Sequence, residues 1–112
     1  MRSFILLLIL GVSISTDAPA QQAPYFVSGE GNTACGEYLE HRRQVNAEQD
    51  YVYATWLRGF TTGFNFATKG KQISGVSAPA TLLAYLDKYC RDNPLGSIAG
   101  GAFSLARELG SK

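Results

Sequence analysis

Residues 48–67 read Glu48-Gln49-Asp50-Tyr51-Val52-Tyr53-Ala54-Thr55-Trp56-Leu57-Arg58-Gly59-Phe60-Thr61-Thr62-Gly63-Phe64-Asn65-Phe66-Ala67 and hold most of the large aromatic surface of the sequence. Val52, Tyr53, Trp56, Leu57, Phe60, Phe64 and Ala67 recur at spacings of three and four, the period of one helix face. Apolar and polar residues do not alternate, as they would along a half-buried strand. The stretch is therefore expected to be an amphipathic helix of about four turns. Thr61-Thr62-Gly63 lowers the local propensity and marks where a kink or an early end would fall.

Helical periods continue on both sides of it. Upstream, Cys35, Tyr38, Leu39 and Arg42 share one face of a helix expected over residues 34–45, with Thr33 or Asn32 as N-cap. Glu37 places negative charge in its first turn, where the helix dipole favours it. Downstream, residues 69–76 form a polar, Gly-containing connection with a short extended piece at Ile73. A third helix is expected from about Ser77, with Pro79 in its first turn and Leu82, Leu83, Leu86, Tyr89 and Cys90 inside. Asn93-Pro94 ends it and is expected to open a fourth, Asn93 as N-cap and Pro94 at the first position. Ile98, Ala102, Leu105, Ala106 and Leu109 make the last stripe, and Gly110 stops it. The expected fold is all-α, a small four-helix bundle with one disulfide.

A length of 112 residues fits one domain. With 46% hydrophobic and 17% charged residues and a net charge of +1, the chain is neither disordered nor built like a nucleic-acid binder. Nothing repeats, and the twelve glycines have no collagen-like period.

Residues 1–20 read as a cleaved signal peptide. Met1-Arg2-Ser3 is basic, Phe4 to Val12 is almost wholly aliphatic, and Ala18-Pro19-Ala20 offers the small residues of a cleavage site. The apolar run is far shorter than the roughly 20 residues a membrane span needs, so no span is expected after cleavage. Residues 21–33 mix Gln, Pro, Ser and Gly and are expected to be a flexible arm, mobile or loosely docked, leaving residues 34–112 as the helical domain. In an exported chain the only two cysteines, Cys35 and Cys90, are expected to be bonded.

Candidate chemistry is sparse. His41 stands in the charged run Glu40-His41-Arg42-Arg43, which reads as the solvated outer face of the first helix. Asp87 and Asp92 lie five apart and point to different helix faces. No C-x-x-C is present, and a lone histidine cannot complete a four-ligand zinc site. No metal, cofactor or enzymatic activity is expected. Two glycine pairs, Gly59/Gly63 and Gly96/Gly100, have the small-xxx-small spacing that lets helices approach, and the plainer reading is that they fit around bulky neighbours. A bundle this small cannot bury all of its aromatic rings. A protein-interaction surface is therefore expected on the second helix, at Tyr53, Trp56, Phe60 and Phe64. Its occupant is a partner protein or a second copy of the chain, as in a homodimer.

Three short stretches carry a resemblance. Ala34-Cys35-Gly36-Glu37-Tyr38-Leu39, Trp56-Leu57-Arg58-Gly59-Phe60 and Tyr89-Cys90-Arg91-Asp92-Asn93-Pro94 resemble the HdeA/HdeB family of periplasmic acid-stress chaperones, over roughly residues 34–106. That resemblance implies a non-enzymatic periplasmic protein that acts on protein clients. The Gly-containing segment 56–63 and segment 82–109 are also similar to Tai-type immunity proteins, although the cysteine ending common among them is absent here. This second likeness implies an inhibitor of a type VI secretion amidase toxin. For the first reading acid is the expected trigger. Without residues 1–20 the chain has nine basic and eight acidic side chains, and full protonation at pH 2 takes it from +1 to +10. Repulsion of that size loosens small domains and exposes apolar surface.

Overall fold

A computed structural model describes residues 25–110, and the expected signal peptide lies outside the described residues. Four helices follow one another: α1 (Cys35–Arg43), α2 (Ala47–Ala67), α3 (Pro79–Asp92) and α4 (Ile98–Leu109). No strand occurs among the described residues, only an isolated bridge between Ala34 and Ser97. None of these helices is long and apolar enough to cross a membrane. The fold is an all-α four-helix bundle. Its core joins Tyr38 of α1, Tyr53 and Leu57 of α2, Leu82 and Leu86 of α3, and Ile98 and Leu105 of α4.

Cys35 and Cys90 are bonded, with 4.9 Å between their Cα atoms, and neither is exposed. The bond ties the first turn of α1 to the last turn of α3. Three backbone contacts reinforce this end: Cys35 N donates to Gly96 O, Gly96 N to Asn93 O, and Ile98 N to Thr33 O.

Several local expectations are corrected. Thr61-Thr62-Gly63 does not interrupt α2, which runs unbroken for 21 residues. Both threonine hydroxyls donate to Arg58 O, and tertiary packing outweighs their weak propensity. Asn93-Pro94 ends α3 but does not start α4. That role falls to Ser97, whose hydroxyl accepts from Gly100 N and whose backbone pairs with Ala34. Neither Asn32 nor Thr33 caps α1 with its side chain; Ala34 holds the N-cap position. Gly110 does close α4, yet its φ of −85° is not left-handed. It is crowded instead, since a Cβ there would lie 2.6 Å from the Phe64 ring. Ile73 is buried, and Asn65 clamps it with a side-chain amide that accepts from Ile73 N and donates to Ile73 O.

Of the arm at residues 21–33, the described part is docked from Tyr25 onward. Residues 25–28 lie along α2 and lead into a 3-10 turn at Gly29–Asn32 that packs on α2 and α4. The reason is a close approach: a Cβ at Gly31 would stand 2.2 Å from Cζ2 of Trp56, so glycine lets the backbone rest on the indole. The two glycine pairs also differ. Gly96 and Gly100 press against Tyr89 of α3, whereas Gly59 and Gly63 face open space.

Candidate functional site

The interaction surface expected on α2 is divided by the fold. Tyr53 is not on it. Its side chain is fully buried, its ring stands edge-on to Tyr38 at 5.0 Å, and its hydroxyl is hydrogen-bonded to Nδ1 of His41. Burial pushes the Tyr53 hydroxyl pKa up. His41 is correspondingly not on a solvated face but half-buried against Tyr53. Val52, expected inside, is partly exposed. Phe64 is half-buried under the end of α4, where its ring meets Gly110.

Trp56 and Phe60 do come together in a surface groove. Their rings stack at 6.1 Å, one turn apart, and Phe60 meets Phe103 of α4 edge-on at 5.6 Å. The opposite wall is the strap of residues 25–28, where Tyr25 lies edge-on to Phe103 at 4.9 Å. Trp56 Nε1 donates to Ser28 O at 2.9 Å and fixes the indole. Thr55 and Gly59 complete an opening of about 450 Å³ with no charged lining residue. Phe26 stands on its rim, 94% exposed.

Sequence reasoning missed Tyr25, Phe26 and Phe103. The apolar triplet Tyr25-Phe26-Val27 within a polar arm was the available signal for the first two. Phe103 falls outside the α4 stripe, so its periodicity could not place it.

A second feature lies at the far end of α1. The Arg42 guanidinium donates to both carboxylate oxygens of Asp87, at 3.0 and 3.1 Å, and to Asp50 at 2.7 Å. Tyr38 donates to the same Asp87 carboxylate at 2.6 Å. One arginine thus joins α1, α2 and α3. Burial alone would raise the Asp87 pKa, but the Arg42 and Tyr38 hydrogen bonds outweigh it and hold the carboxyl below its ordinary value. Burial and the Asp87 hydrogen bond push the Tyr38 hydroxyl up. The other acid considered, Asp92, is exposed and pairs only with Lys88 at 2.7 Å. Among the described residues, no three of His, Cys, Asp and Glu stand together to hold a metal ion.

Fold and site together define a disulfide-bonded four-helix domain with an uncharged aromatic groove and an ion cluster centred on Arg42. No protein-family model, curated protein or solved structure matches the chain.

Proposed function

We propose that the protein is a non-enzymatic, exported helical protein that takes up apolar segments of other proteins, as a periplasmic acid-stress chaperone of the HdeA/HdeB type. The observation that carries this reading is the groove of Trp56, Phe60 and Phe103, aromatic, uncharged and open to solvent. A neutral aromatic cleft gains by excluding water from apolar partners and has no charge with which to select among them. Export is supported by the signal-like pattern of residues 1–20 and by a disulfide, which persists in oxidising compartments. The Arg42–Asp87 link supports acid as the trigger, because its carboxylate must be protonated at low pH.

The test is suppression of aggregation of an unfolded client at pH 2–3 and at pH 7, using the wild-type chain and Gly59→Leu. A Cβ at Gly59 would have no neighbouring atom within 4 Å, and Gly59 lines the groove rather than the core, so the substitution extends into the groove. Protection is expected in acid and is expected to fall in Gly59→Leu. Equal or absent protection at both pH values, or a variant as protective as wild type, overturns the reading.

A second reading rests on Leu95. It is fully exposed at the tip of the α3–α4 turn, which the disulfide and the Gly96 and Asn93 backbone bonds hold rigid. A rigid apolar tip suits insertion into a cleft of a dedicated target, and supports an immunity protein for a type VI secretion amidase toxin. Leu95→Asp would then abolish binding to the toxin and leave client protection unchanged.

A further inference from the structure

The strap of residues 25–28 is bound to the groove as a short peptide would be. Its backbone is extended at Ser28, with φ −122° and ψ 159°. The carbonyl of that residue accepts from Trp56 Nε1, while Tyr25 covers one edge of Phe103. The two ends of this segment are held very differently. Beyond Gly29, whose φ of +67° makes the bend, Thr33 is fixed by Ile98 N and by its own bond to Glu30 O. On the other side Tyr25 is half-exposed and its ring contact with Phe103 is the outermost anchor described.

We propose that this strap is an internal pseudo-ligand, and that the groove's partner is an extended, uncharged segment carrying an aromatic residue, which binds by displacing it. The inference rests on the functional reading above and adds the class of segment and its regulation. A helical partner is a poorer replacement for the strap, because the carbonyls within a helix are already bonded to its own amides and only those of its last turn are free. An extended segment presents a free carbonyl at each residue and can meet the Trp56 donor. Across the groove the strap offers one main-chain acceptor, Ser28 O, and one ring, Tyr25, while Val27 O accepts from Asn32 Nδ2 within the arm itself. Recognition is therefore tolerant of sequence, which suits a protein that handles many clients. Being tethered, the strap competes at an effective concentration in the millimolar range and sets a threshold that weak ligands do not pass.

The experiment uses the synthetic peptide acetyl-Ala-Pro-Tyr-Phe-Val-Ser-amide, which copies residues 23–28, and reads binding from the single tryptophan, Trp56. It compares the wild-type chain with Tyr25→Ser, which removes the strap's ring contact and touches no core residue. The variant is expected to bind the peptide about two- to tenfold more tightly, the fold-change one aromatic pair contributes. A peptide with Ser in place of Tyr is expected to bind more weakly to both chains. Hydrogen exchange in the wild-type chain gives a second readout independent of any variant. Residues 25–33 are expected to exchange faster with peptide bound, whereas a ligand that settles beside a docked strap would slow them. Equal peptide affinity in the two chains, or slower strap exchange, overturns the displacement proposal. If client protection persists in that case, the functional reading stands without the strap. If neither peptide nor client binds either chain, both fall.

Discussion

Replacing Asp87 by Asn removes the charge that Arg42 and Tyr38 converge on and leaves the shape of the side chain in place. The wild-type carboxylate accepts two hydrogen bonds from the guanidinium and one from the Tyr38 hydroxyl. The side chains of Arg42 and Asp87 are 27% and 20% exposed, so the pair is neither a surface bridge nor a sealed one. Exposed pairs contribute about 0–1 kcal/mol, and breaking a buried one costs about 3–5 kcal/mol. Because Arg42 keeps Asp50 as a partner, Asp87→Asn is expected to cost about 2 kcal/mol at pH 7, between those limits. For a domain of this size that lowers the melting temperature by roughly 8–16 °C. The pH dependence has a definite sign. The folded-state pKa of Asp87 lies below its ordinary value, so on acidification the unfolded chain takes up the proton first. The stabilisation is complete above the ordinary carboxylate pKa of about 4 and is lost as pH falls through the lower folded value. Urea unfolding of the oxidised chain, followed by circular dichroism at pH 7 and pH 2, measures both effects. A difference below about 0.5 kcal/mol at pH 7, the ordinary spread for surface changes, refutes the argument. So does a difference that is as large at pH 2 as at pH 7.

The other expectations are independent of that cluster. Denatured, unreduced protein should show no titratable thiol, and Cys90→Ser should cost about 2–5 kcal/mol in the same urea assay. Val45 is 86% exposed at a φ of 51°, a left-handed position where a β-branched residue is strained, so Val45→Gly should raise stability by about 1 kcal/mol. The glycines should respond with opposite signs. Gly63→Ala, in open space within α2, should stabilise by about 0.5–1 kcal/mol. Gly101→Val, whose Cβ would lie 2.6 Å from Leu86 Cδ1, should destabilise by about 1–3 kcal/mol, and a neutral result would mean that α3 and α4 are less tightly packed than described.

The fold was legible because each helix carries its own period. Leu82, Leu83, Leu86 and Cys90 are buried as their spacing indicates, and so are Ile98, Ala102, Leu105 and Ala106. The disulfide followed from the cysteine count. The site was less legible because it is made where elements meet. Spacing placed Tyr53, Trp56, Phe60 and Phe64 on one side of α2, but which of these rings is covered depends on what packs there. Tyr38 covers Tyr53 and the end of α4 covers Phe64, while the strap leaves Trp56 and Phe60 half-open. Arg42 shares a face with Cys35, Tyr38 and Leu39 but also belongs to the charged run read as solvated, and its partners are eight and 45 residues away, beyond any local pattern. His41 was misjudged for a related reason. A charged run marks a helix face only on average, and two of its members turn toward the other helices, His41 to the Tyr53 hydroxyl and Arg42 to Asp50 and Asp87.

The two ends of α1 are held by different chemistry, and this bears on what acid can do. At its start the links are a disulfide and backbone hydrogen bonds to the α3–α4 turn, none of which titrates in the acid range. At its end the links run through the carboxylates of Asp50 and Asp87. Protonation of Asp87 removes one of those links and leaves the disulfide and backbone bonds in place, so acid is expected to loosen the Arg42 end before the Cys35 end. The groove belongs to the closed end, since the strap leads through Thr33 to Cys35 and its contact with Trp56 joins an indole to a backbone carbonyl. A bundle built this way can release α1 from Asp87 and keep Trp56, Phe60 and Phe103 assembled. Protection in acid with the disulfide intact and loss of that protection on reduction are then two consequences of one arrangement. A chain that protects equally well after reduction at pH 2–3 would separate the groove from the covalent end and remove this account.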